Sequence, residues 1–222
     1  MKLALLSDIH GNLPALELCL GVARSLGCER VFCLGDTFGY FQSGAACFEM
    51  LRQAGAEIML GNHEAMLLRR IPSSPESELV YQLEPERQRL SSQTRDLLES
   101  LLPYREIVLG NRKLLLVHGA PWDPLSGYVY PDANLAALGR LPYDFIFMGH
   151  THRPFVRTEN KACVVNVGSC GLPRDTGNSA CFAVYDTDTG RAELIRPALD
   201  TDLVRKTYPR AHPAVLAVLN RR

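Results

Sequence analysis

Short apolar runs that end on polar, chemistry-bearing residues recur along this chain. Leu3 to Leu6 predicts a strand, and Leu16, Cys19, Leu20, Ala23 and Leu26 follow at the spacing of one helix face, opened by Asn12 and Pro14 and closed by Gly27. Val31 to Leu34 predicts the next strand, Ala45 to Ala54 a helix and Glu57 to Leu60 a further strand. The chain therefore opens βαβαβ, which implies an α/β protein with helices covering a sheet. Between Ile71 and Pro103 the character changes. Pro72, Pro75 and serine-rich spacing precede Leu90, Leu97, Leu98 and Leu101, which set one amphipathic helix in an excursion beside the sheet. From Arg105 short strands dominate, near 105–109, 113–117, 144–148, 154–158, 162–167, 180–186 and 192–196, with a helical signal over 132–139 between them. Pro213 to Leu219 predicts a closing helix. With no internal repeat and no long Pro/Gly/Ser linker, residues 1–222 read as a single domain with a helical excursion around 71–103.

Composition narrows the class. The 222 residues carry 24 Lys plus Arg and 24 Asp plus Glu, a net charge of zero, which argues against a dedicated nucleic-acid surface. No apolar run approaches the roughly 18 residues of a membrane helix, and the apolar start Leu3–Leu6 is too short for a signal-peptide core. The seven cysteines, Cys19, Cys28, Cys33, Cys47, Cys163, Cys170 and Cys181, form an odd set without a C-x-x-C pair. They read as buried thiols in a reducing, cytoplasmic environment.

The chemistry lies at the strand ends. Leu3–Leu6 leads to Asp8 and His10, Val31–Leu34 to Gly35-Asp36, and Ile58–Leu60 to Gly61-Asn62-His63. Leu114–Val117 leads to His118, and Phe145–Met148 to Gly149-His150-Thr151-His152. Ligands of open α/β sheets collect beyond the carboxyl ends of the strands, so these groups should converge. Carboxylate, amide and imidazole donors without thiolate suit Mn, Fe, Co, Ni or Zn. Seven donors exceed what one tetrahedral ion uses and suit two divalent ions about 3.5–4 Å apart that share a carboxylate, an arrangement for in-line attack at phosphorus.

Asp8-Ile9-His10-Gly11-Asn12, Gly35-Asp36, Gly61-Asn62-His63-Glu64, His118-Gly119 and Gly149-His150-Thr151-His152 together resemble the five ordered motifs of the calcineurin-like metallophosphoesterases, over roughly residues 1 to 175. Asn166-Val167-Gly168-Ser169 with Pro173-Arg174-Asp175 further resembles the small bacterial and archaeal phosphodiesterase branch. The resemblance implies a four-layer α/β/β/α sandwich of two mixed sheets with flanking helices. It assigns Asp8, His10 and His152 to a first metal and Asn62, His118 and His150 to a second, with Asp36 bridging. His63 would face the leaving group and phosphoryl oxygens as a catalytic residue, and a hydroxide held between the ions would be the nucleophile attacking a small phosphate ester.

One position departs from the pattern. Many family members carry a second Asp three residues after the bridging one, paired with the histidine of the Asn-His motif; here it is Gly39. Without that partner the strength of His63 as a general acid is open. Glu64 is its neighbour in sequence, which does not establish contact. Arg174 either grips a phosphate or pairs with Asp175, and Asn12 either caps the first helix or reaches substrate. Cys170 reads as an inert thiol and His212 as a surface residue. Three functions remain: a dinuclear phosphodiesterase, a phosphomonoesterase or protein phosphatase on the same centre, or a non-catalytic scaffold on this fold. Retention of every ligand position and of His63 disfavours the scaffold.

Overall fold

A computed structural model describes all 222 residues. Two five-stranded mixed sheets lie face to face. The first runs β10 (Arg191–Ile195), β9 (Phe182–Asp186), β1 (Lys2–Leu6), β2 (Cys28–Cys33), β3 (Glu57–Ile58). The second runs β4 (Tyr104–Leu109), β5 (Arg112–Val117), β6 (Phe145–Met148), β8 (Ala162–Asn166), β7 (Phe155–Glu159). β1, β2 and β3 are mutually parallel, as are β5, β6 and β8, while β9, β10, β4 and β7 pair antiparallel.

The unbroken apolar character of β1 follows from burial on both faces. Leu3 and Leu5 point between the sheets, onto a cluster with Phe32, Leu34, Leu116 and Phe147. Ala4 and Leu6 point outward onto Leu16, Cys19, Leu20 and Ala23 of α1 (Leu13–Ser25). β5 divides likewise: Leu114 and Leu116 face the first sheet, and Leu115 and Val117 face Val129, Leu135 and Leu138. A one-residue slip of either strand would exchange its two faces, so packing fixes the register that carries the strand ends.

Several elements differ from the pattern-based expectation. The segment 132–139 is not a helix: it contains one 3-10 turn, Leu138–Arg140. Leu135 and Leu138 are buried at helical spacing, but a turn is enough to bring both onto the cluster with Leu115, Val117 and Ile146. The excursion is three short helices, α4 (Pro75–Tyr81), α5 (Leu83–Arg89) and α6 (Ser92–Ser100), in place of one. Gln82 sits in the left-handed region at φ 56° and separates the first two, while Ser91 caps the third. Its Leu98 is fully buried against Phe38, Phe48 and Leu67, so the leucine face is internal packing. Helix α2 (Gly44–Gln53) falls where expected; α3 (Asn62–Leu67) and α7 (Thr201–Thr207) are too short to show a period, and α8 (Pro213–Val218) closes the chain with His212 as its N-terminal cap. All seven cysteines are free, and no helix is long and apolar enough to cross a membrane.

Candidate metal centre

The loops that leave β1, β2, β5 and β6 meet at one end of the sandwich. Asp8, His10, Asp36, His150 and His152 all have left-handed backbones, with φ between 54° and 65°. Asp and His tolerate this region better than most residues, yet it is sparsely populated, and such clusters mark functional sites. The loops are stitched to each other: Asp8 N donates to Gly35 O at 3.1 Å, His10 N to Asp36 O at 2.9 Å, and His150 N to Asp8 Oδ2 at 2.9 Å. Where Gly149 lies, a Cβ would sit 2.1 Å from Ser7 Oγ, so only glycine lets β6 deliver His150 beside Asp8.

The imidazole orientations carry the chemistry. His10 Nδ1 lies 3.2 Å from Phe38 O, His152 Nδ1 2.7 Å from Leu172 O, and His118 Nδ1 3.0 Å from Leu34 O. A carbonyl oxygen only accepts, so in the neutral ring each Nδ1 carries the proton and each Nε2 presents a lone pair. These lone pairs face other acceptors. His10 Nε2 is 3.0 Å from His152 Nε2, His118 Nε2 is 2.9 Å from Asn62 Oδ1, and His152 Nε2 is 3.3 Å from Asp8 Oδ1. Asp8 Oδ1 and His150 Nε2 are buried without a partner. Protonating His10, His118 and His150 is disfavoured: burial pushes His10 and His118 below their ordinary value and takes His150 down to about 3, with neighbouring histidines adding to the shift at His10 and His150. Burial, then the charges of Glu64 and Asp8, pushes Asp36 well above the usual carboxylate range. Inward-facing acceptors with excess buried carboxylate are stabilised by cations, and the mixed O/N set without thiolate fits divalent transition metals.

Two groups that share no residue, Asp8, His10 and His152 and then Asp36, His118 and His150, each have ligand atoms within 4.8 Å of one another, and a third, His10, Asp36 and His63, overlaps both. Asn62 joins the second through His118. Asp36 stands between the two, with Oδ1 3.4 Å from His118 Nε2 and Oδ2 3.7 Å from His10 Nε2.

His63 lies alongside, 3% exposed, with Nε2 4.0 Å from Asp36 Oδ2. Its ring packs against Tyr81 at 4.6 Å, Tyr40 at 5.0 Å and His10 at 4.5 Å between centroids. Its Nδ1 has no partner, and a Cβ on Gly39 would stand 2.4 Å from that atom. The ring thus occupies the space that a side chain at position 39 would need. Burial, reinforced by the neighbouring histidines, holds His63 well below its ordinary pKa.

Glu64 turns away from His63. As the N3 residue of α3 it accepts from Gly61 N and Asp36 N with one oxygen, both at 2.8 Å, and from Thr37 N at 2.7 Å and Phe38 N at 3.1 Å with the other. Its position three residues after Gly61 is the available signal for the first of these bonds. Tyr81, Tyr40 and Glu86 also entered no expectation. Glu86, from α5, accepts from Gly39 N at 2.8 Å and Gly44 N at 2.6 Å and so ties the excursion to the loop below His63.

Asn12 does not reach the cleft. Its Oδ1 accepts from Ala15 N at 3.3 Å, its Nδ2 donates to Gly171 O at 2.8 Å, and it is fully buried, the geometry of the helix cap. Arg174 is half-buried and leaves Asp175 to Arg196, 2.6 Å away; its own Nη2 donates to Tyr40 Oη at 3.2 Å, beside His63. Cys170 is buried, its thiol raised by a hydrogen bond with Cys19 and by burial.

The model of the calcineurin-like phosphoesterase superfamily domain matches residues 1–190. The chain belongs to this superfamily. The superfamily is metal-dependent and its membership supports a phosphoester hydrolase, and the clustered Asp and His residues are candidate ligands for that metal. An uncharacterized protein of Methanocaldococcus jannaschii is 28% identical over 93% of this chain and 90% of its own length. Phosphodiesterase YfcE of Escherichia coli is 27% identical over 85% of this chain and 89% of its own. The fold is shared with a metallophosphoesterase from Sphaerobacter thermophilus, at TM-score 0.80 and 24% identity over 99% of this chain and 98% of that one.

Proposed function

We propose that this superfamily member is a phosphodiesterase working through two divalent transition-metal ions, for which Mn, Fe, Co, Ni and Zn are candidates. The observation that supports the reading is the set of close acceptor pairs, His10 Nε2 with His152 Nε2 and His118 Nε2 with Asn62 Oδ1, which a cation bound at each would satisfy. In this reading Asp8, His10 and His152 would hold one ion, Asn62, His118 and His150 would hold the other, and Asp36 would contribute to both. Divalent ions at such sites supply Lewis acidity toward phosphoryl oxygens and lower the pKa of water.

The chain's own groups do the rest. Phe38, Leu34 and Leu172 carbonyls fix the ring orientations of His10, His118 and His152, so the donor set is ordered before ligands arrive. His63, a poor base in its buried site, acts as a neutral N–H donor toward the leaving-group or a phosphoryl oxygen, held by Tyr40 and Tyr81 where a carboxylate is missing at Gly39. Arg174 extends its guanidinium beside Tyr40 and binds phosphoryl oxygens. A neutral donor without a carboxylate partner protonates a leaving alkoxide weakly, so the site favours esters whose leaving group needs little help. The phosphodiesterase name of the Escherichia coli relative supports the diester preference.

The test is the ratio of kcat/KM for bis(p-nitrophenyl) phosphate to that for an alkyl phosphomonoester, with metal-loaded and chelator-treated protein. The reading expects the aryl diester to be cleaved faster and chelation to abolish turnover. An equal or reversed ratio contradicts the diester assignment.

A further inference from the structure

A cleft of about 840 Å3, within the size range of small-molecule sites, opens beside the candidate centre. Its inner wall includes Tyr40, Thr151 and Arg174. Thr151 lies between two candidate ligands, and Arg174 reaches Tyr40 beside His63, so the cleft is continuous with the reacting end. Its outer wall adds Arg153, Arg221 and Tyr130.

The charge of this cleft exceeds what one scissile phosphate uses. Arg153, Arg174 and Arg221 face it with Asp132 as the single acidic lining residue, in a chain whose net charge is zero. None of the three guanidinium groups has a carboxylate within ion-pairing distance. Arg221 is held in place: its Nη1 donates to Arg174 O at 2.9 Å, and its own carbonyl accepts from Gly177 N at 2.8 Å. A phosphodiester carries one negative charge at its reacting phosphate, already faced by Arg174 and the candidate metal ligands. Arg153 and Arg221 are left over for a second anion.

A planar surface lies on the same rim. Tyr130 stacks on Tyr128 with rings 10° from parallel and 5.8 Å apart, and Tyr128 in turn covers the His150 ring at 4.3 Å. The two tyrosines are 43% and 52% exposed, which leaves a ring face open to a planar ligand.

Building on the phosphodiesterase reading, we propose that the cleft is a subsite for a nucleotide-type ester arm carrying a second phosphate, with Arg153 and Arg221 binding that distal phosphate and Tyr130 stacking on the base. Arg153 and Arg221 both line the cleft, and guanidinium groups pair with phosphate oxygens in a bidentate fork.

Two measurements on the full chain test this. The first is calorimetric binding to chelator-treated protein, where thymidine 3′,5′-bisphosphate should bind about ten-fold or more tightly than thymidine 5′-monophosphate, as two charge-assisted contacts predict. Combining Arg153→Ala with Arg221→Ala should abolish that difference. The second is turnover by metal-loaded protein of thymidine 3′-phosphate 5′-(p-nitrophenyl phosphate) against bis(p-nitrophenyl) phosphate. The double variant should raise KM for the former about ten-fold more than for the latter, with kcat little altered. Equal affinity for the two nucleotides, or equal losses on the two substrates, overturns the subsite and leaves the phosphodiesterase reading standing. Arginine-dependent preference for the bisphosphate with no diester hydrolysis supports the subsite and refutes the phosphodiesterase reading.

Discussion

Replacing Glu64 by Gln tests whether a buried carboxylate, and not a metal ligand, builds the framework of the centre. Its two oxygens accept from four backbone N–H groups, those of Gly61, Asp36, Thr37 and Phe38, and it is 1% exposed. An amide offers one acceptor oxygen. Whichever way it is flipped, one pair of these donors faces an NH2 group. Two hydrogen bonds to a charged acceptor at about 1.5–3 kcal/mol each give a gross loss of about 3–6 kcal/mol. Part of this is offset because burial outweighs the four donors and holds the Glu64 pKa above the usual carboxylate value, so removing the charge relieves some strain. A net loss of about 2–4 kcal/mol is expected. Urea unfolding of metal-free wild type and Glu64→Gln should show a lower midpoint at unchanged slope. Because the same bonds position Asp36 and the start of α3 with Asn62, metal affinity should fall in parallel. Stability within about 0.5 kcal/mol of wild type, the range of an ordinary surface substitution, together with unchanged metal affinity would refute the reasoning.

His63→Ala should leave metal content unchanged and lower kcat by roughly 10²–10⁴, with the larger loss on diesters that have poor leaving groups; a uniform loss would assign His63 to the phosphoryl oxygens, and loss of an ion would show that its assigned role is wrong. Glu86 gives a pH signature. Burial pushes it from 4.5 up to about 7, so between those values the folded chain keeps a proton that the unfolded chain has released. Its contribution is therefore fully present below pH 4.5 and is lost as pH rises to about 7, a change of about 3 kcal/mol. The stability difference between wild type and Glu86→Gln should shift against wild type over that window, and a difference independent of pH would contradict the assignment.

What the sequence made legible was the repeated junction of apolar strand and polar end. Leu3–Leu6 before Asp8, Leu114–Val117 before His118 and Phe145–Met148 before His150 are each buried strands whose next residues meet in space. Parallel pairing of β1 with β2 and of β5 with β6 turns one-dimensional adjacency into convergence of the strand-end residues. The helical signal at 132–139 was misleading because burial of Leu135 and Leu138 against β5 and β6 needs only a turn. The surroundings of His63 were illegible for a different reason. Tyr81 and Glu86 reach the site from the excursion, through contacts that no local period encodes. Gly39 was visible as a departure, but the close approach of the His63 ring to the place a Cβ would take is a fact of packing. The same holds for Arg174, freed to face the cleft because Asp175 pairs with Arg196, 21 residues further along the chain from Asp175.

The central claim is that the acceptor pairs converging at the strand ends hold two cations through one shared carboxylate. Equilibrium dialysis of the full chain against manganese, read by elemental analysis for wild type and Asp36→Asn, tests it directly. Two ions per wild-type chain, with both weakened by the single substitution at Asp36, is the expected result. One ion or none in wild type, or the loss of only one ion in the variant, would contradict it.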